Sequence, residues 1–410
     1  MYVLGIETSC DETAASIVKD GRRVLSNVVS SSLKEHKKYG GVVPEIAFRM
    51  HLESITGVVD CAIKEAKIKL KNINLVSVTC GPGLAGSLLV GISFAKSISL
   101  GLGVSLLGVN HLHSHIYANF LWCRKVKNTF LTTENRTLPS RAGLPVPFKR
   151  KALELSPITP MADPANHAYG GFRQRRKGGK AIFLNAEHLV FPFVALIVSG
   201  GHTTLFYVKD FDKIDVLGAT CDDACGEAFD KVAKILGLGY PGGPLIERLA
   251  KSGNPKTQFS CSNTKEPLDF SFSGIKTAVL YYVRKNIDAR CSMLDARKKQ
   301  ESSIQYQVSD VAASFQEAVI NTLISKSLLA CKIKRVDRLV IGGGVAANNR
   351  LRERFYSEAE KNGLNIYFPH PKLCMDNAAM VAGLGYQLFK KGYKSGLDLN
   401  IDFPAIHLKR

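Results

Sequence analysis

Pro192-Phe193-Val194-Ala195-Leu196-Ile197-Val198-Ser199-Gly200-Gly201-His202 is the stretch whose reading decides the fold. An unbroken apolar run stops at Ser-Gly-Gly-His, and Thr203-Thr204-Leu205-Phe206-Tyr207-Val208 follows. This predicts a buried strand, a glycine turn and a second strand. Two residues without Cβ let another group approach the backbone, and free N–H groups at such a turn suit an anion. An ordinary hairpin turn accounts for the stretch equally well when it is read alone. The same pattern also stands at the N-terminus. There Val3-Leu4-Gly5-Ile6 leads through Glu7-Thr8-Ser9-Cys10-Asp11-Glu12-Thr13 into Ala14-Ala15-Ser16-Ile17-Val18, then Lys19-Asp20 and Val24-Leu25. After the second copy come Lys209-Asp210 and Val216-Leu217. A unit of strand, small polar turn, strand, Lys-Asp, strand that occurs twice signals a duplication. By analogy, two such units, each opening a lobe and facing a cleft with its turn, resemble the α/β actin-like ATPase (ASKHA) and sugar-kinase architecture, which implies two duplicated lobes around a central cleft.

The chain has 410 residues, which is too long for one ordinary core. Its net charge of +20 favours a polyanionic partner, nucleic acid first. Solubility alone would also account for that excess. Residues 121–187 hold thirteen Lys and Arg against four Asp and Glu, so this segment carries a disproportionate share of the charge. Ten cysteines are scattered without a CxxC pair, which reads as reduced thiols in a cytoplasmic protein. The start enters a strand at once and gives no sign of a targeting segment. From Asn72 to Asn110 the only charge is Lys96, but repeated glycines interrupt the run. A buried strand and helix are therefore expected there, and no membrane association.

Gly81-Pro82-Gly83-Leu84-Ala85-Gly86-Ser87 resembles a phosphate loop opening a helix near Leu88, yet it lacks Gly-Lys-[Ser/Thr]. Ahead of it, Ile46, Met50, Ile55, Val58, Val59 and Ala62 mark one side of a helix. His111 and His115 lie one helical turn apart on one face, with His113 pointing elsewhere. Such a pair is a sound metal half-site, and a solvent-facing pair would look the same. It is not the HExxH motif, because no glutamate follows the first histidine. Residues 121–187 break the pattern and read as a basic, partly disordered insertion: a solvated loop, or a contributor to nucleic-acid binding. Residues 311–330 predict a long amphipathic helix. Gly342-Gly343-Gly344 opens another helix and suits a base or ribose lying on the backbone. Asp376 falls at a helix N-terminus, where N-cap and metal ligand are both open roles.

Taken together, Gly5-Ile6-Glu7-Thr8-Ser9-Cys10-Asp11-Glu12-Thr13, Tyr39-Gly40-Gly41-Val42-Val43-Pro44-Glu45, Gly81-Pro82-Gly83-Leu84, His111/His115, Val198-Ser199-Gly200-Gly201-His202-Thr203, Gly226-Glu227-Ala228-Phe229-Asp230-Lys231, Tyr240-Pro241-Gly242-Gly243-Pro244, Phe270-Ser271-Phe272-Ser273-Gly274 and Asp376-Asn377 resemble one family. It is the tRNA N6-adenosine threonylcarbamoyltransferases of TsaD type, formerly described as O-sialoglycoprotein endopeptidases or glycoproteases. The resemblance covers about 1–120 and 188–410.

It implies transfer of a threonylcarbamoyl group from threonylcarbamoyl-AMP to N6 of adenosine 37 in tRNAs reading ANN codons. It also implies one divalent metal ion, Fe2+ or Zn2+, held by His111, His115 and Asp376. By the same resemblance Ile197, Val198, Ser199, Gly200 and Gly201 form the substrate loop, Asp230, Gly243 and Asn348 touch the adenylate, and Glu12 with Asp11 is catalytic. A paralogous scaffold subunit and a small ATPase subunit are the expected partners, as in the bacterial complex. The expected layout is an N-terminal lobe over 1–120, the insertion over 121–187, a C-terminal lobe over 188–376, and a helix and tail over 377–410 returning to the first lobe. Ile197 or Val198 stands where the archaeal and eukaryotic cytosolic branch has a tyrosine metal ligand, so the chain is similar to the bacterial and mitochondrial branch. The rival readings are a sugar kinase or ATPase of the same fold, and a non-catalytic scaffold paralogue. The first would need an ATP site, and the second would have lost the metal histidines.

Overall fold

The computed structural model describes residues 1–122, 128–131, 189–288 and 300–402. The chain divides into two compact units, Met1–Arg136 with Phe183–Arg410, and Thr137–Ile182. The second unit, and with it most of the expected insertion, lies outside the described residues.

The N-terminal repeat forms β1 (Tyr2–Glu7), β2 (Glu12–Lys19) and β3 (Arg23–Ser31). α1 (Leu33–Lys37) and α2 (Pro44–Glu65) follow, then β4 (Ile73–Gly81), α3 (Ala85–Leu102), β5 (Ser105–Asn110) and α4 (His111–Tyr117). With the short β6 (Asn128–Leu131) these strands make a sheet of order β5-β4-β1-β2-β3-β6. The second repeat forms β7 (Phe193–Val198), β8 (Thr203–Asp210) and β9 (Lys213–Ala219). Helices α5 (Cys225–Ile235), α6 (Gly242–Ala250), α7 (Ser273–Val283) and α8 (Gln300–Lys334) follow. β10 (Arg338–Gly342), α9 (Asn349–Asn362), β11 (Asn365–Tyr367) and α10 (Ala378–Lys390) complete the chain. The second sheet has the order β11-β10-β7-β8-β9. Each sheet therefore carries an antiparallel three-strand meander with two parallel strands added on the side of its first strand. The duplication seen in the sequence is a duplication of topology.

The two repeats do not have fully separate cores. One cluster joins Leu112, Ile116 and Tyr117 of α4, Phe193, Ala195 and Ile197 of β7, and Ala379, Met380 and Val381 of α10. α10 lies across β1, β2 and β4. It sits so close that a Cβ on Gly5 would run into the Ala378 carbonyl. α3 is long and apolar enough to cross a membrane by length and composition alone. It packs on β4 and α2, with Leu88, Val90, Ile92 and Ala95 buried.

Several boundaries differ from the sequence reading. The helix after Gly81 begins at Ala85, and the one expected at 311–330 runs from Gln300 to Lys334. The triple glycine opens a single 3-10 turn over Gly344–Ala347, and α9 starts only after Asn348 accepts a hydrogen bond from the Leu351 N–H. Nor is Gly81–Ser87 an open phosphate cradle. A Cβ on Gly83 would strike the Ser9 carbonyl, and Leu84 N–H donates to that same carbonyl at 2.7 Å. Gly83 serves close packing of α3's leading loop against the β1–β2 turn, while Gly81 abuts the Asp402 carbonyl and Gly86 the Phe48 ring.

Candidate functional site

α4 presents the histidines. Its N-cap, Asn110, accepts from the N–H groups of Leu112 and His113 at 2.9 and 3.1 Å, so the helix starts at His111. His111 and His115 are both buried on the face turned toward α10, while His113 packs edge-on against Phe206. Asp376 stands two residues before α10. The cap of that helix is Asn377, whose side chain accepts from Met380 N–H at 3.1 Å. Asp376 is thereby free of the capping role the sequence left open to it. Its Oδ1 lies 3.0 Å from His115 Nε2 and 3.7 Å from His111 Nε2. One ligand atom from each of the three residues lies within 4.8 Å of the others.

Burial by itself would depress His111, but the carboxylates of Asp376 and Glu7 outweigh it and raise the imidazole to about 9. Asp376 moves the opposite way. Burial opposes its ionisation, and the charge of His111 with the hydrogen bond from His115 holds it well below the ordinary aspartate range.

Glu7 is the residue that sequence reasoning quoted in a motif and gave no role. Fully buried at the end of β1, it accepts from Thr79 Oγ1 at 2.6 Å and from Ser9 N–H at 2.6 Å. Its Oε2 is 3.2 Å from His111 Nδ1, with Ser9 Oγ at 3.1 Å from the same nitrogen. A carboxylate on Nδ1 fixes the tautomer and aims Nε2 at Asp376, which is how metal-binding imidazoles are commonly held. His202, named in a motif but also without a role, completes the wall from the second repeat. Its ring centroid is 6.2 Å from that of His111, and burial with the two neighbouring imidazoles lowers its pKa to about 4.

Asp11 and Glu12 lie at the β1–β2 turn, both part-buried. Burial, then the charges of Asp11 and Asp376, push Glu12 well above the ordinary glutamate value. Burial also raises Asp11, against the opposing hydrogen bond with Glu12. Two carboxyls that share a hydrogen bond and face a third carboxylate favour holding a proton between them. The turn is braced from α2. His51 Nε2 donates to the Cys10 carbonyl at 3.0 Å, and His51 Nδ1 pairs with Thr13 Oγ1 at 2.7 Å. His51 and Ser54 occupy α2's buried face beside Ile55 and Val58, where the periodicity had been read from apolar residues alone.

In the second repeat Ile197 and Val198 are wholly buried and pair with Thr204 and Thr203, so Ser199, Gly200 and Gly201 are what the loop offers a ligand. The turn is closed by Ser199 N–H to the His202 carbonyl at 2.8 Å and His202 N–H to Ser199 Oγ at 3.1 Å. A Cβ on Gly200 or Gly201 would meet nothing within 4 Å, so the room beside them is open. Asp230 on α5 accepts from Gly242 N–H at 2.6 Å, and burial raises its carboxyl to about 6 against the pull of the Gly242 and Gly243 N–H groups. Gly243, at the start of α6, also faces open space. Asn348 differs from the others, because its side chain is already engaged with Leu351 N–H and with Gln316 Oε1 at 2.9 Å. A cavity of about 260 Å³ opens beside it, lined by Glu247, Gln316, Asn349 and Arg350 among others.

Comparison with known proteins places the chain in a family. Residues 23–129 and 180–383 match the family described as tRNA N6-adenosine threonylcarbamoyltransferase, TsaD. Curated relatives with that same description include proteins of Clostridium kluyveri, 41% identical over 403 residues (98% of this chain and 96% of the relative), and Dictyoglomus turgidum, 42% identical over 400 residues (98% and 97%). Another, from Symbiobacterium thermophilum, is 43% identical over 399 residues, 97% of this chain and 94% of the relative. Among solved structures, full-length HypF in its phosphate- and nucleotide-bound form aligns with a TM-score of 0.53 at 12% identity. It covers 95% of this chain and 46% of HypF. That likeness shows the fold, which is the actin-like one.

Proposed function

The chain belongs to the tRNA N6-adenosine threonylcarbamoyltransferase family, and on that premise we propose how its cleft moves a threonylcarbamoyl group onto the N6 amine of a tRNA adenosine. The donor in this reading is threonylcarbamoyl-AMP, and the acceptor is adenosine 37 of tRNAs that read ANN codons. The observation that carries it is the convergence of His111, His115 and Asp376 from α4 and the α10 approach beside the Asp11–Glu12 pair.

Two imidazoles and one carboxylate form a donor set suited to a single Zn2+ or Fe2+ with positions left open, and Glu7 supplies the outer-shell support such a site needs. Bound there, the ion would act as a Lewis acid toward the carbamoyl–phosphate end of the donor. The rest falls to the chain. The open backbone at Gly200 and Gly201 receives the phosphate, and the Asp230 carboxylate accepts from ribose hydroxyls. N6 attacks the carbamoyl carbon, the new C–N bond forms, and the C–O bond to phosphate breaks so that AMP leaves with its electron pair. The Asp11–Glu12 pair accepts the proton that N6 sheds, and an elevated pKa suits a base working near neutral pH. Holding amine and acyl carbon together supplies the remainder of the rate. A paralogous scaffold subunit and a small ATPase subunit complete the proposed assembly, which acts in the cytoplasm.

The test is metal analysis with a transfer assay using threonylcarbamoyl-AMP and tRNA. His115→Ala should lose bound metal and transfer while keeping the circular dichroism of the parent. Normal metal content and turnover in that variant would overturn the reading.

A further inference from the structure

Between β3 and α2 the chain makes a closed loop that the transfer chemistry leaves unused. Its near end is tied to the catalytic turn. Ser32 donates to the Asp11 carbonyl through both its N–H, at 3.2 Å, and its Oγ, at 2.7 Å. Its far end is clasped by a histidine: His36, wholly buried, accepts on Nδ1 from Val43 N–H at 3.2 Å. Tyr39 N–H and Gly40 N–H turn back onto the carbonyls of His36 and Lys37. Gly40 adopts φ +68, which glycine tolerates without strain. The segment from His36 to Val43 is thus held in one shape, and what it holds out is Tyr39. That side chain is 63% exposed beside exposed Lys37 and Lys38. A Cβ on Gly40 or Gly41 would meet nothing within 4 Å, so the backbone next to the ring is open as well.

Exposed aromatics occur elsewhere on this surface, and what sets Tyr39 apart is a fixed loop tied through Ser32 to the Asp11 turn, with lysines at its side. Lysines around it point to a polyanion. Beyond Gly41 the surface changes to mixed charge, with Arg49 paired to Glu45. A base whose exocyclic amine is to react must be splayed from its neighbours, and proteins hold such bases by aromatic stacking with cations on the backbone. We propose that Lys37–Gly40 is the surface on which the tRNA anticodon loop docks, with Tyr39 stacking on a base next to the target adenosine and Lys37 and Lys38 contacting phosphates. The inference rests on the transfer reading above and adds to it where the RNA lies.

Binding of an unmodified tRNA transcript, measured without donor over a range of salt, tests this independently of chemistry. Tyr39→Ala should weaken binding about tenfold, the scale of one lost stacking contact, and Tyr39→Phe should restore it. Lys37→Gln with Lys38→Gln should flatten the log–log salt slope by about 0.7 per lysine. In the transfer assay Tyr39→Ala should raise the KM for tRNA and leave kcat at saturating tRNA, metal content and donor binding as they are. Unchanged affinity and slope would overturn the proposal. So would unchanged tRNA binding accompanied by lost association with a partner subunit, which would make the loop a protein contact. Failure of the wild-type chain and its partners to form product would instead count against the transfer reading.

Discussion

At the scale of single residues, the site depends on groups that hold other groups. Glu7 orients His111 from full burial. Glu7→Gln keeps the shape but withdraws the charge, and metal affinity should fall ten- to about a hundredfold with the fold intact, read by competition with a chelating dye. Asp230 gives a pH signature. Its folded value of about 6 lies above the ordinary 3.8, so folding favours the protonated form. The fold carries no penalty from this carboxyl below pH 3.8 and the full penalty above about 6. Relative to Asp230→Asn, the parent should therefore lose stability as pH rises through that window. Urea midpoints measured across it should converge at the acid end and separate at the neutral end, and parallel curves would exclude the effect. Neither role could be read from the sequence. Glu7 reads as part of a polar turn and α2's buried face reads from apolar residues without His51, and only tertiary partners reveal that the polar atoms of both are buried and satisfied.

At the scale of elements, two helix starts set the proposed metal site. Asn110 fixes where α4 begins, and Asn377 fixes where α10 begins. The sequence leaves both the cap and the ligand role open to Asp376, since aspartate caps well. The structure assigns the cap to the amide and leaves the acid to face the histidines. Asn377→Ala should cost about 1 kcal/mol of stability. It should also weaken metal binding, because Asp376 is then no longer held against a fixed helix end. Equilibrium unfolding and metal titration of the same variant check both parts, and an unchanged metal affinity would mean that α10's packing on β1 holds Asp376 unaided. The motifs that mark α4 and the β7–β8 turn were legible because each is contiguous. The three-dimensional neighbour of His115 is 261 residues away.

At the scale of the whole molecule, the duplicated sheets share a core through α4 and α10, so the cleft and the fold are built from the same contacts. The net charge of +20 suits a chain whose acceptor is RNA. The loop that resembles a phosphate cradle, Gly81–Ser87, is packed against Ser9 and has no lysine to reach a γ-phosphate. Free ATP should accordingly be a poor substrate, turning over slowly and without response to tRNA in a phosphate-release assay. Rapid tRNA-independent hydrolysis would favour the kinase-like alternative.

The sequence alone determined the repeat and the fold class, because strand periodicity and glycine turns are local patterns that short-range physics dictates. The family resemblance already names Asp376 beside the histidines; tertiary structure alone decided which buried carboxylate orients them, and which glycines are open to a ligand and which are filled by packing. Gly200 and Gly83 look alike in the sequence; one borders empty space and the other a carbonyl. That difference depends on what a distant part of the chain brings alongside, and spacing along the chain does not encode it.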